Sequence, residues 1–141
     1  MDTFNEVISY TRTLQGMIRE ATQEFREEEL EVPSWQDVQK KDVLYKTYSE
    51  VVRKNHKVNK LLSRAGSLIM SLKELRQSLA KDASVPGSLK RSYKDQIDTG
   101  IESLYECQKV LAHHKDSYET ALRFFNSAQY ILSSPRLNSL D

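Results

Sequence analysis

Residues 51–80, "VVRKNHKVNKLLSRAGSLIMSLKELRQSLA", carry an unbroken seven-residue repeat. Its repeating positions, at alternating spacings of four and three residues, are Val51, Asn55, Val58, Leu62, Ala65, Ile69, Leu72, Arg76 and Leu79. This spacing places the side chains on one face of an α-helix and is typical of a coiled-coil seam. The pattern predicts one long helix over residues 35–83, unless residues 39–43 introduce a bend.

The same repeat extends to both sides of this stretch. Before it, a seam of Phe4, Val7, Thr11, Leu14, Ile18, Ala21 and Phe25 predicts a helix over residues 3–30. After it, a seam from Tyr93 through Cys107, Leu111 and His114 to Leu132 predicts a helix over residues 88–133. Proline disrupts helix interiors, so Pro33 and Pro86 mark the two turns and Pro135 ends the last helix. Residues 135–141 are expected to form a C-terminal tail.

Helix lengths and short turns predict the topology. Helices joined by short turns pack as antiparallel neighbours. With a tight turn at Pro33, the first helix reaches only residues 35–62 and 109–133 of the two longer helices. We therefore predict a single all-α domain over residues 1–134. It is an antiparallel three-helix bundle with one short and two long helices, extended by a two-helix coiled-coil stalk that ends near Pro86.

Composition narrows the class of protein. The chain has 21 basic and 20 acidic residues in 141, a formal charge of +1. That balance gives no global reason to expect binding to nucleic acid or to a membrane. The single cysteine, Cys107, fits a reducing compartment, and no apolar run approaches the roughly 18 residues of a membrane span. We expect a soluble, cytoplasmic protein.

Three polar side chains interrupt the apolar seams. By the expected pairing, Thr11, Asn55 and His114 fall in approximately one layer, where they can hydrogen-bond to one another and disfavour shifted registers. His56 and His113 fall beside this layer. A zinc site built from His56, His113 and His114 is an alternative, but adjacent residues on a helix point about 100° apart, which weakens it. A pH-sensitive element is a third hypothesis.

A line of extra leucines suggests an interface. Leu61, Leu68 and Leu75 recur every seven residues beside the main seam of the second helix, and Ile101 lies opposite them on the third. The first helix is expected to end before it covers this part, which would leave a leucine band exposed. Exposed apolar bands mark interfaces. The alternative is a bent helix that buries the band within the monomer.

Charged residues concentrate in two places. Near the second turn, Lys81, Lys90, Arg91 and Lys94 face Asp82 and Asp95, an excess of two positive charges. Such a basic end could contact acidic proteins or lipid head groups. Residues 24–31, "EFREEELE", are acidic and oppose the helix dipole. Their simplest interpretation is a solvated helix end, and a basic partner is the alternative.

The sequence contains no nucleophile elbow, glycine-rich phosphate loop or metal-spaced cysteine set. We therefore expect a non-enzymatic helical interaction module without a cofactor. It would act as an adaptor, scaffold or spacer subunit whose protein partner is another copy of itself or another helical subunit. One alternative is a chaperone that captures an amphipathic helix of an export or assembly client. A second is a membrane-surface module that uses the basic end.

Overall fold

The computed structural model describes residues 3–26 and 41–132, which form three helices. These are α1 (Thr3–Arg26), α2 (Lys41–Lys81) and α3 (Gly87–Leu132), and the described residues contain no strand. The all-α prediction is confirmed, and the ends of α2 and α3 at their shared turn lie within two residues of the expected positions. The expected helix over residues 27–30 and 35–40, the turn at Pro33 and the tail over residues 135–141 lie outside the described residues.

A polar turn joins α2 to α3. Both the backbone NH and the hydroxyl of Ser84 donate hydrogen bonds to Oδ1 of Asp82, at 2.9 and 2.5 Å. This arrangement ends α2, because the Asp side chain satisfies a backbone NH that the helix no longer pairs. The first turn of α3 then closes with a hydrogen bond from the Lys90 NH to the Pro86 carbonyl at 2.9 Å.

The contacts between α2 and α3 run in opposite numerical order. Arg76 lies against Asp98 near the turn, and Tyr48 packs its ring against Phe125 at the other end. Apolar side chains of the seams and of the positions beside them fill two buried clusters that together extend along the helix pair. The buried members contributed by α2 and α3 are Val51, Val58, Leu61, Ala65, Leu68, Ile69, Leu72, Leu79, Tyr93, Ile97, Ile101, Leu104, Cys107, Leu111, Tyr118, Ala121 and Phe125.

Helix α1 lies against both longer helices. Its contacts with α3 rise in the same numerical order, since Arg12 donates a hydrogen bond to Gln96 and the Phe25 ring packs on Tyr118. Towards α2, Glu24 forms an ion pair with Lys57 at 2.8 Å. These contacts define the position of α1 along the axis of the α2–α3 pair.

The prediction of a two-helix stalk beside the α2–α3 turn was wrong, because three helices are packed together there. Arg12 of α1 donates a hydrogen bond to Gln96 near the start of α3, and Phe4, about two turns nearer to the α2–α3 turn, packs on the buried cluster that contains Leu79 and Tyr93. A third helix therefore covers that end. The expectation assumed a tight turn at Pro33, which would have placed Glu24 near Lys41. Glu24 instead contacts Lys57, sixteen residues further along α2, and α1 is displaced towards the turn accordingly.

The buried face of α1 keeps three expected seam positions, those of Thr11, Ile18 and Phe25, but uses Ile8 and Thr22 in place of the neighbouring Val7 and Ala21. The buried positions are Ile8, Thr11, Ile18, Thr22 and Phe25. Val7 is exposed, and Leu14 is only partly buried. Thr22 is almost fully buried because its hydroxyl donates to the Ile18 carbonyl at 2.7 Å, which satisfies its polar group within the helix.

Candidate functional site

The leucine band expected to be exposed lies in the core. Leu61, Leu68 and Ile101 are 6%, 7% and 6% exposed, and Leu75 is partly buried. The expectation failed because α1 covers this part of α2 and α3. Ile18 of α1 belongs to the same cluster as Leu68 and Ile101, and Phe25 to the same cluster as Leu61. The interface role assigned to these four residues rested on their exposure, and the monomer itself gives them a structural role.

Of the three polar residues expected in one layer, Thr11 lies apart from His114. Thr11 neighbours Arg12, whose partner Gln96 lies 18 residues before His114 on α3. That separation corresponds to about 27 Å along a helix, so Thr11 and His114 lie in different layers. Thr11 satisfies its hydroxyl by donating to the Ile8 carbonyl at 2.9 Å. The expected layer failed for the same reason as the stalk, namely the displacement of α1.

His114 lies among aromatic rings. It is 8% exposed, and its ring centroid is 5.8 Å from that of Phe25 and 6.0 Å from that of Tyr118. Lys57 lies over the Phe25 ring, with its Nζ 5.7 Å from the ring centroid. Asn55 is partly buried, and its Oδ1 has no hydrogen-bond partner among the described residues. The described part of the chain thus gives His114 a packing role.

The other two histidines lie on the surface. His56 and His113 are both exposed. The ring centroids of His113 and His114 are 5.8 Å apart, and the two ring planes are inclined at 74°. Within residues 3–26 and 41–132, no group of three or more His, Cys, Asp or Glu side chains is placed to hold a metal ion.

An exposed apolar stripe follows α1. Tyr10 and Met17 are 65% and 62% exposed, and Val7 is 36% exposed. Together with the partly buried Leu14, these residues recur at spacings of three and four, which places them along one side of the helix. We call Val7, Tyr10, Leu14 and Met17 the α1 stripe. Because Leu14 also packs on the core, the stripe is continuous with the buried face.

The sequence contained a signal for this stripe. Val7 and Ile8 place apolar side chains in two adjacent heptad phases of α1, and Leu14 repeats the phase of Val7. One narrow seam cannot bury both phases. The apolar side chains of α1 thus exceed what one seam can bury, as those of α2 do.

A basic pocket lies on α2 and α3 near their turn. It has a volume of about 430 Å³ and is lined by Arg76, Leu79, Ala80, Lys90, Arg91 and Lys94. We call these six residues the basic pocket. Four of them are cations, and no acidic residue lines the pocket. Arg76 forms an ion pair with Asp98 at 2.7 Å, and the Lys90 ammonium lies 3.4 Å from the Ala80 carbonyl.

No protein family, characterised protein or solved structure matches this chain.

Hydropathy adds one finding. Among the described helices, none contains a stretch both long and apolar enough to cross a bilayer. Apolar and charged residues instead alternate along α2 and α3, as expected of helices that are packed on one another.

Proposed function

We propose that this protein is a non-enzymatic helical interaction module that acts as an adaptor or spacer subunit, and that the α1 stripe is its contact surface. The observation that carries the proposal is the exposure of two large apolar side chains, Tyr10 and Met17, beside Val7 on one side of a packed helix. Burial of an apolar side chain contributes roughly 1.5–3 kcal/mol, so a few such residues can drive association.

The proposed architecture is an antiparallel bundle with respect to α1–α2 and α2–α3. The order of the contacts supports it, since Glu24 pairs with Lys57 and Arg76 with Asp98. In this arrangement α1 is the shortest helix and lies on one side of the long pair. A partner helix would pack along the stripe and extend the bundle to four helices, a geometry that heptad-spaced side chains favour.

The proposal is tested with the double variant Tyr10→Glu, Met17→Glu. Sedimentation equilibrium of the purified protein first establishes whether the parent self-associates. We expect the variant to lose self-association, or to lose a partner that copurifies in stoichiometric amount from native cells. Circular dichroism should show unchanged helicity, because neither side chain belongs to the buried core.

A matched control places the same charges elsewhere. Val52 and Met70 are also exposed, at 41% and 65%, but they lie on α2. The double variant Val52→Glu, Met70→Glu should keep the associations of the parent. If both double variants behave alike, or if the parent neither self-associates nor copurifies with a partner, the α1 stripe is not the contact surface.

The chaperone alternative has less support. It required an exposed leucine band as the client site, and α1 occupies that band in this chain. A client helix would have to displace α1 before it could bind. The membrane-surface alternative depends on the basic end of the bundle and not on the α1 stripe.

A further inference from the structure

We propose that the basic pocket binds a compact phosphorylated anion through its phosphate groups. This inference is independent of the α1 stripe, because the pocket is formed by α2 and α3 alone. It rests on the separation of charge along the molecule, on the concave arrangement of four cations, and on the acidic residues that bound the groove.

Charge is concentrated at this end of the bundle. Residues 76–98 contain five basic residues and three acids, Asp82, Asp95 and Asp98, a net charge of +2 in a chain whose total is +1. Two of the acids are already occupied, because Asp82 accepts two hydrogen bonds from Ser84 within the turn and Asp98 is paired with Arg76. An excess of positive charge confined to one end attracts anions even when the whole protein is nearly neutral.

The four cations of the pocket differ in whether they already have a partner within the protein. Arg76 is paired with Asp98, and Lys90 lies near the Ala80 carbonyl. Arg91 and Lys94 are exposed, and neither forms an ion pair with a residue that the structure describes. A guanidinium matches two phosphate oxygens at once, while an ammonium supplies a compact positive charge. Arg91 and Lys94 therefore provide the direct contacts, and Arg76 and Lys90 support them.

The adjoining groove limits the size of the ligand. A second cavity of about 480 Å³ shares Arg76 and Lys94 with the basic pocket and continues to Asp98, Glu102 and Tyr105. The two carboxylates make this continuation unfavourable for a long polyanion lying along the groove. The charge pattern thus favours a ligand whose phosphates are close together over nucleic acid or an extended acidic peptide.

The test uses inorganic pyrophosphate as the probe of the shared chemistry. Titration calorimetry on the full chain at low ionic strength should show saturable binding of pyrophosphate. The double variant Arg91→Glu, Lys94→Glu should weaken that binding by about tenfold or more, as loss of directly contacting charges does. The variant Arg91→Gln, Lys94→Gln, which disturbs the helix less, should weaken it in the same direction.

A charge-matched control separates the pocket from the total charge. Lys60 and Arg64 are exposed on α2 outside the pocket. Lys60→Glu, Arg64→Glu changes the net charge by the same amount, and its affinity should stay within about twofold of the parent. An equal loss in both charge-reversal variants would overturn the proposal, as would absence of pyrophosphate binding by the parent.

Two further arms distinguish the source of the phosphate. If the phosphates belong to a lipid, phosphatidylcholine vesicles containing phosphatidylinositol bisphosphate should bind the parent but not the double variants of Arg91 and Lys94. Pyrophosphate binding without vesicle binding indicates a soluble phosphate ester. A single-stranded oligonucleotide that competes as strongly as pyrophosphate at equal phosphate concentration would show a general polyanion surface and would refute a compact-ligand pocket.

Discussion

At the scale of single residues, Asn55 is the polar group with the clearest energetic consequence. It occupies a seam position of α2, and its Oδ1 is buried without a hydrogen-bond partner among the described residues. An unsatisfied buried acceptor costs about 1–3 kcal/mol. Asn55 therefore lowers the stability of the folded protein. As a polar group in a seam, it also disfavours the pairing of α2 with other helices in a shifted register.

Replacing this side chain should therefore stabilise the protein. We expect Asn55→Leu to raise the free energy of unfolding by about 1 kcal/mol or more, measured by urea denaturation. The control is Asn59→Leu at an exposed position of the same helix, which should change it by less than about 0.5 kcal/mol. A destabilised Asn55→Leu protein would mean that the amide is satisfied in the folded state.

Asp82 shows the opposite behaviour, since its carboxylate is stabilised by folding. The hydrogen bonds from the Ser84 hydroxyl and the Ser84 NH hold the pKa of Asp82 below its ordinary value, and Lys90 adds to this. A group whose pKa falls on folding contributes stability above its unfolded pKa of about 3.9 and loses it as the pH falls through the folded value.

This linkage gives a prediction about pH. Asp82→Ala should melt at a lower temperature than the parent at pH 7. The difference should shrink as the pH falls from 4 towards 2, because the parent carboxylate then becomes protonated. Thermal melts followed by circular dichroism at several pH values measure it, with Asp116→Ala, at an exposed position of α3, as the reference. A difference independent of pH would assign the effect to the backbone of the turn.

At the scale of helices, two glycines lie within the long elements and differ in their surroundings. A Cβ at Gly66 would meet Gln108 Nε2 at 3.6 Å, an ordinary contact, whereas a Cβ at Gly100 would lie 2.9 Å from Gln15 Oε1. Alanine is favoured over glycine in a helix interior by about 0.8–1.0 kcal/mol. The Gly66 position can realise that gain, while at Gly100 the Gln15 side chain must move first.

We therefore expect Gly66→Ala to raise the free energy of unfolding by about 0.5–1 kcal/mol. Gly100→Ala should gain less. Chemical denaturation of the two variants beside the parent measures both. If Gly66→Ala is destabilising, then close approach of α2 and α3 at this level requires the absence of a side chain.

The sequence predicted α2 and α3 better than α1, for a physical reason. Long uninterrupted heptads and a turn containing Pro86 leave one way to pair α2 with α3. The phase of α1 was ambiguous because both Val7 and Ile8 are apolar, and Thr22 reaches the core by bonding its hydroxyl to its own helix. The placement of α1 depended on the connection through residues 27–40, whose path a heptad pattern does not encode.

The unknown position of α1 also explains why the sequence predicted an exposed interface at residues that are buried. The sequence pattern identifies apolar surface in excess of one seam at Leu61, Leu68, Leu75 and Ile101. It cannot show that α1 covers these residues. The basic end was recognised from composition. Its concave arrangement with Arg76 follows only from the pairing of α2 with α3.

At the scale of the whole molecule, the leucine band connects α1 to the long pair. The triple variant Leu61→Glu, Leu68→Glu, Leu75→Glu should lose cooperative unfolding, because at least two of its charges would be placed in the core. Leu68→Ala alone should lower the free energy of unfolding by about 2–5 kcal/mol. Thermal melts followed by circular dichroism test both.

The control for the triple variant places three glutamates at exposed positions of the same helix, Ser63, Ser67 and Ser71. This protein should unfold cooperatively, as the parent does. If the leucine variant also keeps cooperative unfolding and loses only an association, the band would be an interface after all.

The position of α1 also has a consequence for biosynthesis. The hydrogen bond from Arg12 to Gln96 joins residues 84 positions apart. At a synthesis rate of about 5–20 residues per second, α1 is made roughly 4–17 s before the stretch of α3 on which it packs. Throughout that interval its apolar side chains have only part of their final partners. Ribosome-bound chains halted before residue 96 should therefore present α1 to nascent-chain chaperones, and completed chains that have left the ribosome should not.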